Sequence, residues 1–181
     1  MRARARPTAA AAALVIVAVA ATAGCSREPV TNTSTSARTV SASPSAAAFR
    51  GVSVQGPTGQ QPIVLIGDET AATSSIQIED VVTGEGAMAG PTSPVTVQYV
   101  ARGAKTKRTF DSSWDRGSTF RYDPKKVTFA AFVDGVPGMR VGGRRIVIVP
   151  GSLAFGATPP AGSGLQPNEA VVFVIDLVKA D

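Results

Sequence analysis

The sequence predicts an α+β domain, an antiparallel sheet with one short helix packed on it. Two observations carry that reading. Apolar residues alternate with a period of two along several short runs rich in β-branched side chains. One segment alone breaks that period with helical spacing. The elements follow in chain order. "GVSV" (51–54) alternates, and "QPIVLIG" (61–67) is an apolar run between turn residues. "SIQIEDVV" (75–82) sets Ile76 and Ile78 on one face. "VTVQYVA" (95–101) does the same with Val95, Val97 and Tyr99. In "VTFAAFVDGVPGM" (127–139), Phe129, Phe132, Val133 and Val136 fall at i, i+3, i+4 and i+7, the stripe of a short helix. Pro137 and Gly138 end it, because proline removes a donor and clashes with the preceding turn. "RRIVIV" (144–149) is a continuous apolar run headed by two arginines, and "AVVFVIDLV" (170–178) sets Val171, Phe173, Ile175 and Leu177 on one face. Glycine and proline punctuate the runs at "GEGAMAGPTSP", "PGSLAFGATPPAGSG" and "QPNE".

The beginning of the chain reads as a targeting signal. "MRARARPT" is basic, "AAAAALVIVAVAA" is apolar but shorter than the ~20 residues of a spanning helix, and "TAGC" places small residues before the only cysteine. This resembles a bacterial lipobox, with Thr22 where leucine is usual. The reading gives a signal peptide at 1–24, a lipidated Cys25 and a protein held at the cell membrane, facing outside the cytoplasm. Ordinary secretory cleavage with Cys25 as a bystander is the alternative. Residues 25–49, rich in Ser, Thr and Ala, cannot bury enough surface to offset their ordering entropy and read as a tether. The domain then occupies 50–181, with additional strands at 50–75. With one cysteine no internal disulfide can form.

Charge and composition exclude several functions. The formal charge is +5, but removing Arg2, Arg4 and Arg6 leaves 15 basic against 13 acidic residues, so the domain has no nucleic-acid footprint. Without a histidine there is no Ser-His-Asp relay and no histidine metal site. No phosphate-binding loop motif occurs, and "VGGRR" (141–145) reads as a turn rather than an anion nest. No cofactor or metal is expected. Asp111 and Asp115 could form an acid/base pair, but Arg116 adjoins them and favours a loop salt bridge. What remains is an excess of aromatics near loops and the helix: Tyr99, Phe110, Trp114, Phe120, Tyr122, Phe129, Phe132 and Phe155.

Four blocks, in order, carry a resemblance: "VTVQYVARG", "TFDSSWDRGSTFRY", "FVDGVPGMRVGGRRIVIVPGSLAFG" and "LQPNEAVVFVIDLV". Over roughly Ile76 to Asp181 the chain resembles the FKBP-type peptidyl-prolyl cis-trans isomerases. The resemblance implies a curled antiparallel sheet wrapped over one short helix, with an apolar pocket between them. It implies catalytic roles for Tyr99, Phe110, Asp111, Phe132 and Phe155. Arg116 would support the aspartate, and Phe120, Thr128, Phe129, Leu165 and Phe173 would contact substrate. Phe132 stands where the family often has tryptophan, and Phe155 where it has tyrosine. Proline-containing exported polypeptides are the expected partners, with macrolides as further ligands, and the protein is expected to be a monomer. A binding module that holds proline segments without turnover is the alternative use of the same pocket.

Overall fold

Val95–Gly103 and Val171–Ala180 are the two longest strands, and they lie antiparallel at the centre of the main sheet. The computed structural model describes residues 48–71 and 73–181; the leader at 1–24, Cys25 and the tether up to residue 47 lie outside the described residues. In chain order the strands are β1 (Val52–Gln55), β2 (Ile63–Ile66), β3 (Gln77–Val82), β4 (Val95–Gly103), β5 (Thr109–Ser112), β6 (Phe120–Tyr122), β7 (Arg144–Val149) and β8 (Val171–Ala180). Among the described residues a single α-helix, α1 (Ala130–Val133), precedes β7. The main sheet runs β3-β7-β8-β4-β5, and β6 also pairs with β4. β5 and β6 share one side of β4: β5 lies against Val100–Arg102 and β6 against Val95–Val97. They are two parts of an interrupted strand, and the loop between them is free to carry side chains toward the helix face.

The period-two reading of β4 and β8 matches their burial. Val95, Val97, Tyr99, Val171, Phe173, Ile175 and Leu177 all enter one core with Phe132 and Val136. The runs in β7 and β8 are apolar on both faces because both are covered, as continuous apolar strands require. All six residues of β7 are buried. Its odd-numbered valines, Val147 and Val149, face the helix, while Ile146 and Ile148 join Val172 and Val174 in a second core behind the sheet.

That second core is roofed by the segment at 50–75. Its strands do not extend the edge of the main sheet. β1 and β2 form their own two-stranded sheet, registered Val52 to Ile66 and Val54 to Val64. Their inward faces, Val52, Val54, Val64 and Ile66, pack on the back of β7 and β8, and Phe49 packs beside them.

Two neighbouring arginines hold the layers. Arg144 and Arg145 are consecutive on β7, so they leave opposite faces. Arg144 is fully buried and lies directly across from Asp176 of β8, donating to its carboxylate through Nε at 2.6 Å and Nη2 at 2.8 Å. The same guanidinium donates to the carbonyls of Gly56 at 2.8 Å and Gln60 at 2.7 Å, and the Gly59 N–H donates to Asp176 at 2.8 Å. The β1–β2 loop is thereby pinned to the sheet. Arg145 lies across from Asp80 of β3 and donates to it at 2.7 and 2.9 Å. It also donates to the carbonyls of Gly135 and Pro137, which follow the helix.

The helix is shorter than the apolar stripe. It is one turn, capped at Phe129 without a side-chain hydrogen bond, so Phe129 precedes it and Val136 follows it. The stripe is still the buried face, with Val136 and Phe132 both in the core. Gly135 ends the turn: a Cβ there would stand 2.2 Å from the Ala131 carbonyl oxygen and 2.7 Å from Val147. Ile76 and Ile78 also part company: Ile76 packs on the core, whereas Ile78 on the outermost strand is 40% exposed.

Breaking the rear ion pair leaves a buried charge without its partner, which typically costs about 3–5 kcal/mol. Asp176→Asn is therefore expected to lower the stability of the whole chain by an amount in that range, read from the urea midpoint. An unchanged midpoint would show that the pair does not hold the hairpin.

Candidate active site

The functional side chains converge on the helix face of the sheet. β4 presents Tyr99 inward between Val97 and Ala101 by strand alternation, and Tyr99 is buried. Around it the rings of Phe120, Phe132 and Phe173 stand at centroid distances of 5.9, 5.3 and 5.9 Å. Phe132 meets Phe173 edge-on at 5.6 Å. Phe129 touches Phe173 at 5.4 Å and Phe155 at 5.2 Å, and Phe110 meets Phe155 edge-on at 5.7 Å. Tyr122 stacks on Phe120 at 5.3 Å and donates its hydroxyl to the Phe132 carbonyl at 3.1 Å. Burial raises the Tyr122 phenol pKa above its ordinary value. Eight rings form one connected cluster. Phe173, which the resemblance expects to contact substrate, is one of them, whereas Trp114, counted among the loop-side aromatics, makes no ring contact among the described residues.

A groove of about 410 Å³ opens over this cluster, lined by Phe110, Asp111, Phe155 and the segment Pro160–Ser163. Tyr99, Phe132 and Phe173 are buried and do not line it; Phe173 meets the lining ring of Phe110 edge-on at 6.1 Å, and Tyr99 and Phe132 pack in turn against Phe173. Phe120 and Phe129 are half-buried beside them. Leu165 packs partly buried against the same core, but neither it nor Thr128 lines the groove. Thr128 is exposed, because the chain enters the helix with Phe129 turned inward and its neighbour therefore turned out.

Asp111 is the carboxylate of the groove. Tyr99 donates its hydroxyl to Asp111 Oδ2 at 2.6 Å. Arg116 donates to Asp111 Oδ1 and, at 2.9 Å, to the Tyr99 hydroxyl oxygen. Its guanidinium also lies over the Tyr99 ring, 5.5 Å from the centroid. Burial, and then the bond to Asp111, push the Tyr99 phenol up to about 12, with Arg116 opposing. The bond to Tyr99, against some burial, moves Arg116 upward. At neutral pH the phenol keeps its proton and Arg116 its charge, so the three groups form a fixed polar edge on an aromatic groove rather than a proton relay. The loop ion pair expected of Arg116 is thus made with Asp111. Asp115 instead accepts from Gln61 at 2.9 Å, and the two aspartates do not form an acid/base pair.

The sequence reading missed the groove's outer wall and its anchor. Pro160–Ser163 read as punctuation, yet it lines the groove. Glu169, just after that wall, is buried and accepts from the backbone N–H groups of Gln166 at 2.7 Å, Thr106 at 2.6 Å and Lys105 at 2.9 Å, and from the Thr106 hydroxyl at 2.9 Å. It ties the wall to the β4–β5 turn. Gly103 leaves the room: a Cβ there would lie 2.4 Å from Glu169 Oε1 and 2.3 Å from Thr106 Oγ1. A glutamate directly ahead of an unbroken apolar strand was the available signal.

Comparison with known proteins decides the family. The model of the FKBP-type peptidyl-prolyl cis-trans isomerases matches residues 86–178, half of the chain. The chain belongs to the FKBP-type peptidyl-prolyl cis-trans isomerases. It is 43% identical over 110 residues, 60% of this chain and 90% of the relative, to a probable FK506-binding protein of Corynebacterium glutamicum. It is 36% identical over 106 residues, 58% of this chain and 86% of the relative, to an FK506-binding protein of Streptomyces anulatus. In fold it resembles the crystal structure of a peptidyl-prolyl cis-trans isomerase from Pseudomonas syringae, with a TM-score of 0.52, 19% identity, and coverage of 75% of this chain and 85% of that one. The residues matched by the family model therefore carry the aromatic groove, and the hairpin at 49–71 stands outside them.

Glu169 gives this site a pH signature. Burial alone would raise its pKa, but the four donated hydrogen bonds outweigh burial and lower it from its ordinary value of 4.5. Stability from Glu169 is present above that ordinary value and is lost as pH falls through the lower folded one. Glu169→Gln is expected to be less stable than the parent chain at neutral pH, with the gap narrowing as pH drops below about 4.5. Thermal melts of both proteins across that interval check it; a gap that widens in acid would contradict it.

Proposed function

We propose that this FKBP-type isomerase acts on X-Pro bonds of exported polypeptides at the cell surface, using the groove over the ring cluster. The supporting observation is the pairing of an aromatic groove with one carboxylate that Tyr99 and Arg116 hold in place. Rotation about a peptide bond is resisted by amide resonance, with a barrier of ~18–20 kcal/mol. Both isomers of an X-Pro bond are accessible, but they exchange over tens to hundreds of seconds, at about 25 °C. The planar amide carries more charge separation than the twisted one. Phe110 and Phe155 would seat the proline ring and solvate the planar form poorly. Asp111 would orient the peptide at the polar edge. The twisted amide is then bound better than the planar one, which is differential transition-state binding. No step needs a proton donor, in keeping with a chain that has no histidine.

The test is an isomerisation assay on a proline peptide, paired with a macrolide titration. Phe132→Ala is expected to lose most turnover and about 3–5 kcal/mol of stability, the usual range for a buried phenylalanine. Turnover that survives in folded Phe132→Ala protein would misplace the site. Phe155→Tyr adds a hydroxyl where Phe155 lines the groove. A hydrogen bond contributes about 0.5–1.5 kcal/mol and 1.4 kcal/mol is tenfold in affinity, so macrolide binding should tighten roughly two- to tenfold. Turnover should change less, since the walls disfavour the planar amide. No tightening would mean that Phe155 does not face the ligand.

For location, the proposal is that Cys25 becomes the lipidated first residue and the tether holds the domain off the membrane. Buried acyl chains add about 0.8 kcal/mol per methylene, so multiple chains anchor stably. Mass spectrometry of membrane-extracted protein is expected to find acylated Cys25 as the N-terminus. An unmodified chain beginning elsewhere would overturn this.

A further inference from the structure

β5 carries both Phe110 and Asp111, yet it ends the strand order of the main sheet and pairs only with β4 among the described residues. Its pairing is also irregular between Ala101 and Arg102. An edge strand with a broken register is a poor support for two groove-lining residues. The structure supplies support from outside the residues that the family model matches. The β1–β2 hairpin reaches the chain on each side of β5. Before it, Asp68 pairs with Lys107 at 2.5 Å, and Arg102 donates to the carbonyls of Val64 and Lys107. After it, Gln61 Nε2 donates to Asp115 Oδ1 at 2.9 Å.

We propose that the hairpin is a brace for β5, and that Gln61 is a positioning residue for the Arg116–Asp111 pair. This rests on the site assignment above. The side chains of Gln61 and Asp115 are both exposed, but the backbone behind each is fixed. The carbonyl of Gln60 before Gln61 is held by buried Arg144 at 2.7 Å, and Pro62 after it is buried. Opposite, the Asp115 N–H donates to Ser112 Oγ at 3.2 Å, fixing that residue to the end of β5. A hydrogen bond between two fixed backbones orders less chain than one between mobile loops, so more of its strength survives. Asp115 precedes Arg116, the residue that donates to Asp111. The position of the groove carboxylate is thereby referred, through Arg116, Asp115 and Gln61, to the ion pair on the back of the sheet.

The experiment uses the full chain and two readouts, kcat/KM on a proline peptide and the emission of Trp114. Trp114 is the only tryptophan and adjoins Asp115, so its fluorescence reports this loop alone. Gln61→Glu keeps the side-chain size but sets a carboxylate against a carboxylate. It is expected to lower kcat/KM about two- to tenfold, the loss of one hydrogen bond, and to shift Trp114 emission. Adding Asp115→Asn restores a donor and an acceptor in exchanged positions, and should return both readouts toward the parent values. The brace is overturned if Gln61→Glu leaves both readouts unchanged, or if the exchanged pair restores neither. Asp111→Ala separates the two proposals: if it spares turnover while Gln61→Glu still shifts Trp114 emission, the site assignment fails and the brace stands.

Discussion

Two adjacent arginines on β7, each opposite a carboxylate on a neighbouring strand, hold this domain together on both faces. A buried guanidinium is costly unless every donor finds a partner. Arg144 meets that demand with Asp176 and two loop carbonyls; Arg145 meets it with Asp80 and two carbonyls after the helix. These pairings fix what lies above and below the sheet. The rear pair can be satisfied only with the β1–β2 loop in place, and the front pair only with the helix ending at Gly135. The sheet is thus a central layer with a roof on one side and a ring cluster on the other.

The ring cluster depends on that front constraint. Phe132 stands in a helix of one turn, too short to be stable on its own. Its position comes from packing against Tyr99, Phe173 and Tyr122, and from Arg145 holding the chain that follows. Phe155, on a turn, depends in the same way on Phe110 and Phe129. No single element sets the groove; each lining ring leans on a ring from a different part of the chain.

This division explains what was legible in the sequence. β4, β7 and β8 were readable because alternation or a continuous apolar run follows directly from which faces are covered. Tyr99, Phe110, Asp111, Arg116 and Phe155 were readable because their motif survives as a block, and the structure brings them together. The helix bounds were not, because the stripe from Phe129 to Val136 records burial, and burial continues past the point where Gly135 and the close approach of Val147 stop the turn. The layer occupied by "GVSV" and "QPIVLIG" could not be assigned from their own alternation. It follows from the second face of β8, where Val172 and Val174 need a cover and Asp176 needs Arg144. Thr128 was named from a block resemblance, which does not say which of three consecutive side chains turns inward; here that side chain is exposed and does not line the groove.

An enzyme that twists an amide without transferring a proton depends on where its walls stand rather than on what its side chains donate. Preorganised surroundings cost nothing at the moment of reaction, but they must be held against thermal motion beforehand. Here the three lining parts are each secured from a distance. Asp111 is held by Tyr99 and Arg116, and the Pro160–Ser163 wall is followed by the Glu169 anchor to the β4–β5 turn. Phe155 is held by two other rings. Of these supports only Phe110 lines the groove itself. The outer hairpin extends the same logic one step further from the chemistry. An isomerase core with an irregular edge strand gains from a second sheet that contributes no lining residue, provided that sheet is itself fixed. The buried Arg144–Asp176 pair fixes it.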